Sequence, residues 1–132
     1  MLHHISLGVA DLQRSAAFYD AVLDALGYVR AWADDTAIGY GEPGGGDKLA
    51  IKLRGNEVIV PGSGFHLAFA APDRDSVGRF HRAALHHSGQ DNGAPGLRPD
   101  YGPNYYAAFV VDPDGYRIEA VFNLPAPIVS VP

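Results

Sequence analysis

His4-Ile-Ser-Leu-Gly-Val-Ala-Asp11 returns further along the chain as His66-Leu-Ala-Phe-Ala-Ala-Pro-Asp73. The same offset carries Phe18 onto Phe80, Leu23 onto Leu85 and Gly27 onto Gly89. A match that runs through an alternating stretch, a helical stretch and the glycine after it marks an internal duplication, whose units share or pair their cores. The repeats cover about residues 1–62 and 63–124 of one domain spanning 1–132, and the Gly/Pro-bearing stretch 54–64 connects them.

Within each repeat the hydrophobic period changes from two to about 3.6 and back. His3, Ile5, Leu7 and Val9 alternate with His4, Ser6 and Gly8, which predicts a strand over 2–9. Asp11 offers an N-cap, and Leu12, Ala16, Tyr19, Leu23 and Leu26 follow at helical spacing until Gly27 ends the run. Strands are predicted at 28–33, 37–40 and 48–53, so the first repeat reads βαβββ. The second has a strand over 65–71, a helix capped by Asp73, and strands at 105–111 and 116–122 around the turn Asp112-Pro-Asp-Gly115. Residues 90–104, rich in Gly, Pro and Asn, predict a short strand and a long loop that could wall a pocket.

Composition narrows the function. The chain has no cysteine, so any metal must be held by His, Asp or Glu. Ten basic residues against fifteen acidic ones, with no Lys/Arg cluster, argue against nucleic acid as a partner. No stretch approaches the ~20 apolar residues of a membrane span, and no basic segment precedes an apolar run at the N-terminus. The expectation is a soluble, cytoplasmic protein acting on a small molecule.

Strand parity selects three residues. The odd positions of the first strand are apolar and lie under the helix, which puts His4 on the opposite face. Phe65, Leu67 and Phe69 are the corresponding helix-facing set, leaving His66 opposite. In the last strand Tyr116, Ile118, Ala120 and Phe122 are apolar, so Arg117 and Glu119 share the far face. Two imidazoles and a carboxylate suit Fe(II), Mn(II), Ni(II) or Zn(II) with positions left open. A lone strand histidine is more often packed than ligating; equivalent repeat positions and shared parity are what single out His4 and His66. His3, of the wrong parity, is assigned to the core edge or a helix contact, and His81, His86 and His87 to a solvated helix face.

His4-Ile-Ser-Leu-Gly-Val-Ala-Asp-Leu12, Ser15-Ala-Ala-Phe-Tyr19 and Leu26-Gly-Tyr28 resemble the first unit of the vicinal oxygen chelate superfamily, the glyoxalase/bleomycin resistance/dioxygenase group. His66-Leu-Ala-Phe69 and Asp112-Pro-Asp-Gly-Tyr-Arg-Ile-Glu119 resemble its second unit, so the likeness extends to about Phe122. It implies an α+β glyoxalase-like fold, two βαβββ modules whose mixed sheet curls around a metal-binding cup. It also implies a homodimer, and one divalent metal ion on His4, His66 and Glu119.

The same comparison shows departures. The place of glyoxalase I's fourth ligand, a Glu or Gln in the last strand of the first unit, is taken by Lys52, which cannot ligate while protonated. Fosfomycin-resistance transferases share a three-ligand set, yet the tyrosine expected ahead of the Asp-Pro-Asp-Gly turn is absent and Phe109 stands nearby. Bleomycin-binding relatives without metal lack the triad.

The leading expectation is a metal-dependent lyase, isomerase or transferase that chelates neighbouring oxygens of a small substrate. Glu119 and Lys52 are expected to take part in the chemistry, and Lys52, Arg98, Tyr101 and Tyr106 to meet the substrate. Loop polarity would equally account for Arg98 and Tyr101, core packing for Tyr106, and a surface position with its stem along the sheet edge for Lys52. Two other classes stay open, a drug- or metabolite-binding protein without turnover and a ring-cleaving Fe(II) dioxygenase. The tail 124–132 is expected to lie across a partner subunit.

Overall fold

The computed structural model describes residues 1–124, so the expectation for the tail beyond Leu124 lies outside the described residues. β1 (Ile5–Val9), α1 (Leu12–Asp24), β2 (Val29–Ala33), β3 (Ala37–Gly41) and β4 (Leu49–Leu53) form the first module. β5 (Leu67–Ala70), α2 (Arg74–His86), β6 (Gln90–Leu97), β7 (Tyr105–Val111) and β8 (Arg117–Asn123) form the second. Each module makes its own four-stranded mixed sheet, ordered β1-β4-β3-β2 and β5-β8-β7-β6. In both, the strand before the helix returns parallel to the last strand, Leu7 beside Ile51 and Phe69 beside Ala120. No described helix is long and apolar enough to cross a membrane.

The core lies where the helix-facing rows meet the helices. Phe18, Tyr19, Val22 and Leu23 of α1 and Val77, Phe80 and Ala84 of α2 are buried with Val9, Ile51, Val110 and Ile118. Each of the larger side chains contributes on the order of 1.5–3 kcal/mol by leaving water. Asp11 and Asp73 cap the helices as their sequence positions suggest, accepting from the backbone N–H of Arg14 and Ser76.

The glycines that follow the helices act differently, although the repeat aligns them. Gly27 has φ +89° and nothing within 4 Å of a Cβ, so it serves the left-handed turn that ends α1. After α2 it is Ser88 that takes the positive φ, 70°. Gly89 is small for another reason: a Cβ there would stand 2.7 Å from the Ala84 carbonyl oxygen and 2.7 Å from the Phe18 ring.

The turn Asp112-Pro-Asp-Gly115 does more than reverse the chain. Asp112 Oδ1 accepts from the backbone N–H groups of Asp114, Gly115 and Tyr116, and its Oδ2 accepts from the Tyr19 hydroxyl at 2.5 Å. Asp114 accepts from the Ala10 N–H, from Arg14 and from the Ser15 hydroxyl, and the Tyr116 hydroxyl donates to the Gly8 carbonyl at 2.7 Å. Both aspartates thus fasten the second module to the strand-helix junction of the first. Burial is the largest influence on Asp112 and raises its pKa, while the donors oppose the shift.

Three local expectations are corrected. Residues 90–104 hold an eight-residue strand with two register shifts, followed by a 3₁₀ turn at Pro99–Tyr101. A strand containing Pro95 and two glycines is tolerated because β6 is the sheet edge, where a missing N–H breaks no ladder bond. His3 is exposed instead of packed, its Nδ1 2.7 Å from that of His4. His81 is buried instead of solvated, because Nε2 finds Asp91 at 2.9 Å, while His86 and His87 are exposed as expected.

Candidate metal and substrate site

Alternation along β7 and β8 builds the site on the face of the second sheet turned away from α2. Tyr106, Ala108 and Val110 pack toward the core, so Tyr105, Ala107 and Phe109 face the other way. In the same manner Ile118 and Ala120 face α2, leaving Arg117, Glu119 and Val121 opposite. Register then places Ala68, Glu119, Phe109 and Gly93 in one row across four strands. Gly93 has to be small there, since a Cβ would come within 3.0 Å of the Phe109 ring.

Glu119 is only 1% exposed, and it forms part of the wall of a hollow of about 410 Å³. Its Oε1 stands 3.1 Å from Nε2 of His66, whose side chain is 55% exposed, and its Oε2 accepts a very short hydrogen bond from the Tyr105 hydroxyl. Tyr105 pairs with Asn123, whereas Glu119 pairs with Phe109. The ring therefore leans along the sheet over the Ala107 row, a span of roughly 13 Å between the Cα atoms at about 3.3 Å per residue. Burial, then the hydrogen bond to Glu119, raises the pKa of Tyr105, so the phenol remains a donor at neutral pH. A carboxylate buried this deeply would be costly without such partners.

The residues singled out in the sequence separate into two groups. His66, Glu119 and Tyr101 line the hollow together. Arg98 does not line it, donating instead to the Ala94 carbonyl and lying over the Phe109 ring at 5.3 Å. Tyr106 is on the helix side, packed against the core beneath the Arg74 guanidinium, and does not line this hollow. His4 and Lys52 belong to the first module: His4 stands immediately before β1, Lys52 lies in β4 beside Gly8, and neither residue lines this hollow. Among the described residues no three His, Asp or Glu side chains lie close enough to hold a metal.

Sequence reasoning passed over Tyr105, Asn92 and Trp32. Parity with Phe109 would have found Tyr105. Trp32 lies flat on Gly39 on the open face of the first sheet, its Nε1 2.3 Å from where a Cβ would sit, and a strand glycine opposite a lone tryptophan was the available signal. A second hollow, of about 320 Å³, lies between Leu23, Tyr40, Leu49 and Phe69 and contains no histidine.

The family model of the Glyoxalase/Bleomycin resistance protein/Dioxygenase superfamily matches residues 1–120. This chain belongs to that superfamily. A glyoxalase/bleomycin resistance protein from Albidiferax ferrireducens T118 is 33% identical with a TM-score of 0.75, over 89% of this chain and 94% of that one. A glyoxalase-related enzyme from Fulvimarina pelagi is 27% identical with a TM-score of 0.71, over 93% and 88%. A bleomycin resistance determinant encoded on the transposon Tn5 shares the fold at 21% identity and a TM-score of 0.58, over 89% and 93%. No curated protein matches.

Proposed function

We propose that the protein is a metal-dependent enzyme acting on a small substrate through two neighbouring oxygens, with His66 and Glu119 of one subunit joined by His4 of a second. The observation that carries this reading is the pair itself, an imidazole and a buried carboxylate 3.1 Å apart in a hollow. The donor set fits a divalent ion such as Zn, Mn, Ni or Fe, one donor short within a single chain. A bound ion would act as Lewis acid toward the substrate oxygens.

The chain's own groups have distinct tasks. Tyr105 occupies one oxygen of Glu119 and leaves the other directed at His66. Tyr101 and Phe109 wall the substrate space. Lys52 lies on the open face of the first sheet and His4 stands just before its first strand, and a partner's second sheet would complete a cup over that face. That arrangement makes the homodimer part of the site.

Non-oxidative chemistry, of lyase, isomerase or transferase type, is favoured over ring cleavage. His66 is the one histidine lining the hollow among the described residues. His81 is engaged with Asp91 on the helix side, so within one chain no further imidazole of the described residues stands ready to exchange protons there.

The test is the metal content of the purified protein. His4→Ala, His66→Ala and Glu119→Ala should each abolish stoichiometric binding, and His3→Ala and His86→Ala should leave it intact. Equal metal in all five would overturn the assignment, and a wild type that takes up no metal would favour a binding protein without turnover. Stoichiometric uptake of O₂ with a catechol by the Fe(II)-loaded protein would favour the dioxygenase.

A further inference from the structure

We infer that the hollow over the second sheet takes a small anion with a planar, apolar body, and that Arg117 reads its charge. The inference builds on the reading of this hollow as the substrate site and adds the class of molecule it receives.

Arg117 opens β8 two residues before Glu119, so its side chain emerges on the same open face and lines the hollow. It has no hydrogen-bond or carboxylate partner among the described residues. Arg14 pairs with Asp114, Arg30 with Asp20 and Arg79 with Asp75, while Arg74 and Arg82, likewise without a carboxylate, lie on α2 and do not line the hollow. Arg98, the other guanidinium near the hollow, donates to the Ala94 and Leu97 carbonyls.

The carboxylate in the wall does not use this cation either. Both oxygens of Glu119 already face partners, His66 and Tyr105. Arg117 therefore presents a planar fork of donors to a ligand carboxylate or phosphonate, which it can hold through two parallel hydrogen bonds. Lys52, expected from sequence to meet substrate charge, does not line this hollow.

The remaining walls describe the rest of the ligand. Phe65, Tyr101, Tyr105 and Phe109 line the space, with Tyr101 and Tyr105 centred 5.2 Å apart and tilted by 59°. The two tyrosine rings pack on each other, and with Phe65 and Phe109 they give the hollow an aromatic wall on whose faces a planar apolar body can lie. Asn92 and Ser63 add neutral hydrogen-bonding groups that orient a ligand without supplying charge. The volume, about 410 Å³, is within the ~300–1,000 Å³ range of small-molecule sites.

Chelator-treated, metal-free protein titrated with benzoate, phenylphosphonate and benzamide tests this, read by amide ¹H–¹⁵N shifts of Ser63, Asn92 and Arg117. Both anions should give saturable shifts, the tighter of the two identifying the anionic group, with neutral benzamide at least about tenfold weaker. Arg117→Gln should weaken anion binding at least about tenfold and Arg117→Lys should restore part of it, with an unchanged spectrum elsewhere. Absence of saturable shifts with either anion, benzamide binding equal to benzoate, or undiminished binding by Arg117→Gln would overturn the inference. Because no metal is present, the outcome is independent of the metal assay: a wild type that takes up no metal leaves anion recognition intact, and the reverse also holds.

Discussion

The hydroxyl of Tyr105 donates to one oxygen of Glu119 while the ring of His66 faces the other, so each oxygen of a carboxylate that is 1% exposed has a partner. Tyr105→Phe should keep the fold and leave that oxygen without its donor. The expected loss is about 1–3 kcal/mol of stability in the metal-free protein, read from denaturant midpoints. If Glu119 is a ligand, metal affinity should fall roughly 10–100-fold in competition with a chelator, the usual effect of removing a group that orients a ligand. Unchanged affinity would mean that Tyr105 serves packing alone.

Sharing of the site between subunits can be tested by complementation. His4→Ala and Glu119→Ala proteins, each expected to lack metal, should regain about a quarter of the wild-type content when mixed in equal amounts and exchanged, because about half of the dimers are then mixed and one of the two cups in a mixed dimer keeps all its donors. Sedimentation should show a dimer at micromolar concentration. A monomer, or no recovery on mixing, would count against the shared cup.

Asp114 joins the modules through three groups of the first module while its side chain is 2% exposed. Asp114→Ala should strand the Ala10 N–H and the Ser15 hydroxyl and cost about 2–3 kcal/mol, with Arg14 adding little because it is 40% exposed. Urea unfolding measures it, and a change below the error of the midpoint would show that the clamp is dispensable.

The two glycines that the repeat aligns should respond differently to alanine. Gly27→Ala should cost about 1 kcal/mol, for backbone conformation only. Gly89→Ala should cost about 1–3 kcal/mol, since its methyl meets the Ala84 carbonyl and the Phe18 ring and forces the helix ends apart. Comparable small losses at both sites would refute the packing account of Gly89.

The cap of α2 has a pH signature. Hydrogen bonds from the Ser76 side chain and backbone hold the Asp73 carboxyl below its ordinary 3.8. A folded-state pKa below the unfolded one means that the unfolded chain binds more protons, so the contribution is present above pH 3.8 and is lost as pH falls through the lower folded value. Asp73→Asn should therefore show a shallower fall in melting temperature below about pH 4 than wild type. Parallel curves would remove Asp73 from the acid transition.

The order of elements and the strand faces that carry the candidate ligands were legible in the sequence because both follow from local periodicity. Alternation in 5–9, 67–70 and 117–123 determines which side chains share a face, and the repeat of His4 at His66 needs no tertiary information. The aspartates of the Asp-Pro-Asp-Gly turn announced a hairpin. Their attachment to Tyr19, Ala10 and Arg14 could not be read there, since it joins residues about a hundred positions apart.

Which residues of one face actually meet was decided by tertiary structure alone. Parity puts His4, His66 and Glu119 on equivalent faces, but each module closes its own sheet, so a single chain brings together only His66 and Glu119. The same packing put Tyr106 against Arg74, laid Tyr105 along the sheet to Glu119, and left Arg117 facing the hollow in the place expected of Lys52. Side-chain direction follows from the backbone period, whereas proximity depends on how two twisted sheets and two helices bury their apolar faces.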